Sequence, residues 1–120
     1  MRFMTLVKSP ENLRPPPSLF AAIAELGREA GSKMLWMGGL AATQTGTRLR
    51  LYDGRIDVKD GPFTEAKEVI GGFAVYEVDS KEEAVEWCRR FLDVHRLHWP
   101  EWSGEVEMRV LMDGPPPPRS

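Results

Sequence analysis

Asp53-Gly54 stands between two short alternating runs, Leu49-Arg50-Leu51-Tyr52 and Arg55-Ile56-Asp57-Val58. An Asp-Gly pair in that position marks a type I′ β-hairpin, because both turn residues must take positive φ. A two-residue loop also fixes the register. Tyr52 faces Arg55, Leu51 faces Ile56, Arg50 faces Asp57, and Leu49 faces Val58. Leu49, Leu51, Ile56 and Val58 then share one face. Arg48, Arg50, Arg55, Asp57 and Lys59 share the other, which is solvated or meets an acidic partner.

The segments around the hairpin carry their own periods. Phe3 to Val7 is apolar on both alternating sets, which predicts a central strand covered on both faces. Ser9 to Pro17 is rich in proline and polar residues and reads as a loop. Pro17 suits a first helical turn, and Leu19, Phe20, Ile23, Leu26 and Ala30 follow at helical spacing until Gly31. Met34 to Met37 reads as a strand ending at Gly38-Gly39, and Phe73 to Val78 as another. Ser80-Lys81-Glu82-Glu83 matches a capping box. Behind it, Ala84, Val85, Cys88, Phe91 and Leu92 form an apolar helical stripe that stops before Pro100. Val106, Met108, Val110 and Met112 alternate with Glu105, Glu107 and Arg109 in a last strand. Asp113 to Ser120 holds four consecutive prolines and is expected to be a disordered, extended tail, leaving residues 1–112 as one domain.

Without the hairpin the order is βαββαβ, the split βαβ arrangement of ferredoxin-like folds. The fold class expected is therefore α+β, with both helices on one face of an antiparallel sheet and a hairpin inserted. Such a sheet leaves its second face bare, and a twin subunit is the usual cover, so a homodimer is expected.

Composition excludes some functions. The formal net charge is −2, which gives no basic footprint for nucleic acid and no pull toward anionic membranes. No run approaches the roughly 18 apolar residues of a membrane span. Cys88 is the sole cysteine, so no intrachain disulfide can form, and a cytoplasmic location is expected.

Asp60-Gly61-Pro62-Phe63-Thr64-Glu65-Ala66-Lys67-Glu68-Val69-Ile70-Gly71-Gly72-Phe73 resembles the signature of the DGPF branch of YCII-related proteins. Met1-Arg2-Phe3-Met4, Gly38-Gly39-Leu40, Lys81-Glu82-Glu83-Ala84-Val85-Glu86-Trp87 and Glu105-Val106-Glu107-Met108-Arg109 agree with it in order. The resemblance implies a dimeric α+β barrel built from ferredoxin-like protomers. It also implies membership of a superfamily that holds cofactor-independent lyases, isomerases and monooxygenases beside non-enzymatic members. A histidine–aspartate pair is proposed as an active site in part of the YCII group. Both histidines here, His95 and His98, lie late in the chain.

Asp60 is the first candidate for proton transfer, against a structural reading as an Asx-turn before Gly61-Pro62. His95 and His98 are three residues apart, so a helix reaching them would put both on one face, as acid/base groups or as dipole-compensating residues. A metal would need a third ligand from Asp93, Glu101 or Asp60. No recognised ligand motif is present, so neither metal nor cofactor is expected. Cys88 sits on the apolar stripe and reads as structural. Arg50 and Tyr76 are candidates to orient a substrate, with Trp36, Phe63 and Trp102 as apolar contacts. The functional expectation is a small, partly apolar ligand in a cleft between sheet and helices. The chain would then be a cofactor-free lyase or isomerase using Asp/His proton transfer, or a non-enzymatic dimeric binding or interaction module.

Overall fold

A computed structural model describes residues 1–11 and 13–112. The expected proline-rich tail lies outside the described residues. Strand β1 (Arg2–Ser9) leads to helix α1 (Pro17–Ala30), strand β2 (Met34–Gly39), strands β3 (Thr47–Tyr52) and β4 (Arg55–Asp60), strand β5 (Val69–Glu77), helix α2 (Lys81–His98) and strand β6 (Glu105–Val110). Single 3-10 turns fill Gly31–Lys33 and Thr43–Thr45. The main sheet runs β2-β5-β1-β6, every pair antiparallel, and β3-β4 form a separate two-stranded sheet. This is the ferredoxin-like α+β order with an inserted hairpin.

Local chemistry sets the helix ends. Pro17 occupies the first turn of α1, where its missing N–H breaks no bond. Gly31 closes the helix at φ 57°, a left-handed value that costs glycine little, with its N–H donating to the Gly27 carbonyl. At α2, Ser80 Oγ accepts from the Glu83 N–H at 3.1 Å, and the Glu83 carboxylate accepts from the Asp79 N–H at 3.1 Å. The reciprocal pair is the capping box read from sequence, reaching back one residue further than its usual form. Helix α2 runs to His98, and Pro100 follows.

The core lies between the helices and one sheet face. Phe3, Ala30, Ala74, Tyr76, Val78 and Ala84 are buried there, with Met34, Trp87 and Met108 packed against them. Alternation in β1 and β5 turns Met4, Leu6, Phe73 and Val75 to the opposite face, where they are only half-buried. No element of the described chain covers that face, so β1 is shielded on one side rather than on both faces as its apolar run predicts. The helical stripes are narrower than their periodicity suggests. Phe20 is 59% exposed, and Val85 and Leu92 lie at the margin of α2.

The hairpin has the register its turn demands, from Tyr52–Arg55 to Leu49–Val58, with Asp53 and Gly54 at φ 52° and 76°. Its apolar face packs on nothing in the described chain: Leu49, Leu51, Ile56 and Val58 stay 65–71% exposed.

Candidate functional site

A cavity of about 470 Å³ opens between sheet and helices. Thr5 and Val7 of β1, Ala74 and Tyr76 of β5, and Val106 of β6 form its floor. Ile23 and Leu26 of α1 and Cys88, Phe91 and His95 of α2 form its roof, and Trp99 and Trp102 lie beyond the end of α2. The exposed lining residues Glu11, Leu13, Phe20 and Leu40 mark its rim. The volume is ordinary for a small-molecule site.

His95 is the most distinctive polar group. It is 5% exposed and held between rings, with its centroid 4.6 Å from Phe91 and 4.4 Å from Trp102. Its Nδ1 lies 3.0 Å from the Phe91 carbonyl, one turn earlier in α2. A carbonyl only accepts, so Nδ1 carries the proton and Nε2 keeps its lone pair. Burial pulls the imidazole below its ordinary pKa, opposed in part by that hydrogen bond. The neutral form therefore prevails at neutral pH.

Tyr76 lies in the floor, 2% exposed, with its ring stacked 6.3 Å from Trp87. Burial pushes its hydroxyl up to about 12, so it is a neutral donor at any physiological pH. No buried polar side-chain atom among the described residues lacks a hydrogen-bond partner. His95 and Tyr76 both line the cavity. Thr5 Oγ1 donates to the Ala74 carbonyl at 3.4 Å and offers its lone pairs only. The Cys88 thiol sits against Met108 Sδ at 3.9 Å, and burial raises its pKa, which suits a packed thiol rather than a thiolate nucleophile.

Of the candidate proton-transfer and substrate-contact residues read from sequence, the cavity gathers Tyr76, His95 and Trp102. The others lie elsewhere. Asp60 ends β4, exposed, and its Oδ1 accepts from Thr47 Oγ1 at 3.0 Å. An Asx-turn to the residue two ahead is chemically closed to it, because Pro62 has no N–H. His98 is exposed at the end of α2 and does not line the cavity. The Asp60–histidine convergence expected from sequence is therefore absent from this cavity: His95 alone of the three reaches it. Arg50 is exposed on the hairpin, opposite Asp57. Phe63 packs under the Arg48 guanidinium, 3.8 Å from ring centre to Cζ. Trp36 is 65% exposed and stands edge-on to Phe73 at 4.8 Å. Among the described residues, no group of three or more His, Cys, Asp or Glu is placed to hold a metal.

The YCII-related domain model matches residues 1–92. The chain belongs to the YCII-related family. No curated protein matches it. Among solved structures, 5-chloro-2-hydroxyhydroquinone dehydrochlorinase from Burkholderia phenoliruptrix, determined in complex with 2,5-dihydroxybenzoquinone, is similar at 17% identity and a TM-score of 0.54. The alignment covers 95% of this chain and 96% of that one, and the fold shared is the dimeric α+β barrel type.

In this YCII-related chain the Asp-Gly-Pro-Phe segment acts as a joint. The Gly61 N–H donates to the Gly46 carbonyl at 2.8 Å, and the Phe63 N–H donates to Thr43 Oγ1 at 3.2 Å. Thr43 in turn donates its N–H and its hydroxyl to the two oxygens of Glu11, the latter at 2.6 Å. The hairpin base is thus tied through Thr43 to the cavity rim. A Cβ at Gly61 would lie 1.7 Å from the Thr43 carbonyl oxygen, so no other residue fits. Sequence reasoning missed Glu11 and Thr43 altogether. Neither stands in a motif, and their meeting depends on long-range folding. Phe91 and Cys88 were legible as cavity wall only in part, from sharing the helical stripe that His95 continues.

Proposed function

We propose that this protein binds a small, partly apolar molecule in the cavity between sheet and helices. His95 Nε2 would accept a proton or hydrogen bond from it, and Tyr76 Oη would donate one to it. The observation that carries this is one largely apolar cavity of about 470 Å³ lined by both a histidine whose Nδ1 is committed to the Phe91 carbonyl and a neutral tyrosine. In its enzymatic form the site is a cofactor-free lyase or isomerase. A neutral imidazole removes a proton from a carbon or hydroxyl, and the tyrosine hydroxyl stabilises the oxyanion that develops. The similar dehydrochlorinase acts on a hydroxylated, chlorinated ring, and a ring of that size is compatible with the volume here. Soaking crystals with hydroquinone tests the reading. Density within hydrogen-bond reach of His95 Nε2 supports it, and an empty cavity beside hydroquinone bound elsewhere counts against it.

The hairpin favours a second reading that can coexist with the first: assembly with a second copy. Leu49, Leu51, Ile56 and Val58 present four exposed apolar side chains on one hairpin face, and the main sheet leaves a second face uncovered. A second copy meeting these faces about a two-fold axis would bury them. Sedimentation velocity decides it, with a dimer expected and a stable monomer opposing.

A further inference from the structure

We propose that the cavity admits its ligand only in uncharged form, and that the ligand class is a flat hydroxyaromatic or enolisable cyclic ketone without carboxylate, sulfonate or phosphate. This rests on the cavity being the binding site. Among the described lining residues there is no lysine and no arginine. The one ionised side chain is Glu11 on the rim, and its charge would repel an entering anion. Among the described residues, the nearby cations do not line the cavity. Lys8, between the lining residues Val7 and Ser9, points from the cavity and pairs with Glu107 at 2.5 Å. Arg14 is exposed between the rim residues Leu13 and Pro15 and does not line the cavity. Arg90, on the roof helix, is bound to Glu29 of α1.

An anion entering these walls would lose its hydration with no countercharge to replace it, the most unfavourable kind of burial. The start of α1 near the rim offers only partial positive charge, too little to offset that loss. The polar groups present suit a neutral ligand instead. His95 Nε2 takes one hydroxyl proton, Tyr76 Oη gives one to a carbonyl or ring oxygen, and aromatic and aliphatic walls cover the rest.

Two fluorescent probes separate the cases, because they share one aromatic frame. N-phenylnaphthylamine is neutral, and anilinonaphthalene sulfonate adds a single fixed negative charge. Cavity binding is the component removed by Ile23→Phe or Val106→Phe, two lining changes of which either folded variant suffices. The proposal expects saturable cavity binding of the neutral probe and affinity for the sulfonate at least about tenfold weaker. Met37→Lys, which places a cation on the lining, should narrow that gap. Equal cavity affinity for both probes would overturn the charge selection while leaving the cavity as the binding site. Failure of both to bind there would remove the binding site itself, and the selection with it.

Discussion

The His95 imidazole and the Trp102 indole lie with centroids 4.4 Å apart at an interplanar angle of 43°. The indole belongs to the loop after α2, and it seals one side of a ring whose other side faces Phe91. Its seat depends on Gly104, where a Cβ would stand 2.3 Å from the Trp102 ring. Removing the indole would expose more of the imidazole to water. Because burial is the cause of the depressed pKa, Trp102→Ala should raise it toward the ordinary value near 6.5. The same change should cost about 3 kcal/mol of stability, at the low end for a tryptophan because Trp102 is only half-buried. Following the His95 ring protons against pH checks the first, and urea unfolding the second.

Stability should itself depend on pH through His95. Its folded pKa lies below its unfolded one, so the unfolded chain binds more protons as pH falls below about 6.5. The contribution is whole above that pH and is lost progressively down to the folded pKa. Unfolding free energies measured across mildly acidic pH should fall in the wild type and fall less steeply in His95→Phe.

Tyr76 predicts the alkaline counterpart. Its hydroxyl keeps its proton to about 12, while the unfolded residue ionises at 10.0. The native state therefore binds more protons between those values, and stability declines as pH rises through them. Tyr76→Phe should flatten that decline, as read by denaturant unfolding in alkaline buffers.

Gly61→Ala should loosen the hairpin joint, because the new methyl group would collide with the Thr43 carbonyl. We expect a loss of about 3 kcal/mol if the sheet feels the strain. The alternative expected within the same account is local, since β3-β4 form a sheet of their own. Hydrogen exchange should accelerate at Thr47–Asp60 more than in β1 or β5.

The exposed hairpin face gives an assembly prediction. Leu51→Glu with Ile56→Glu should shift sedimentation from dimer to monomer while helical circular dichroism is retained. Both side chains are exposed and pair only with each other across the hairpin, so the fold of one subunit does not need them.

Much of this was legible where the physics is local. The hairpin register followed from Asp53-Gly54, and the start of α2 from Ser80 and Glu83, because each needs only residues a few positions apart. The βαββαβ order followed from alternating periods. The site was legible in pieces. Tyr76, His95 and Trp102 were chosen for chemistry, and the fold brings them to one cavity. Asp60, Arg50 and Phe63 were chosen the same way, but they ride on or beside a hairpin whose direction no periodicity encodes. Trp36 is not among the lining residues: a register shift between Met34 and Trp36 pairs it with Val75, and its ring stands edge-on to Phe73. Glu11 and Thr43 left no trace in the sequence.

The proposed function requires His95 to present an unprotonated Nε2 to the cavity. Nitrogen-detected NMR of the His95 imidazole, with and without hydroquinone, tests it most directly. We expect a neutral ring protonated at Nδ1 at pH 7 and a ligand-dependent shift at Nε2 that Ile23→Phe abolishes. A ring already charged at that pH, or an Nε2 resonance indifferent to hydroquinone while His98 responds, would contradict it.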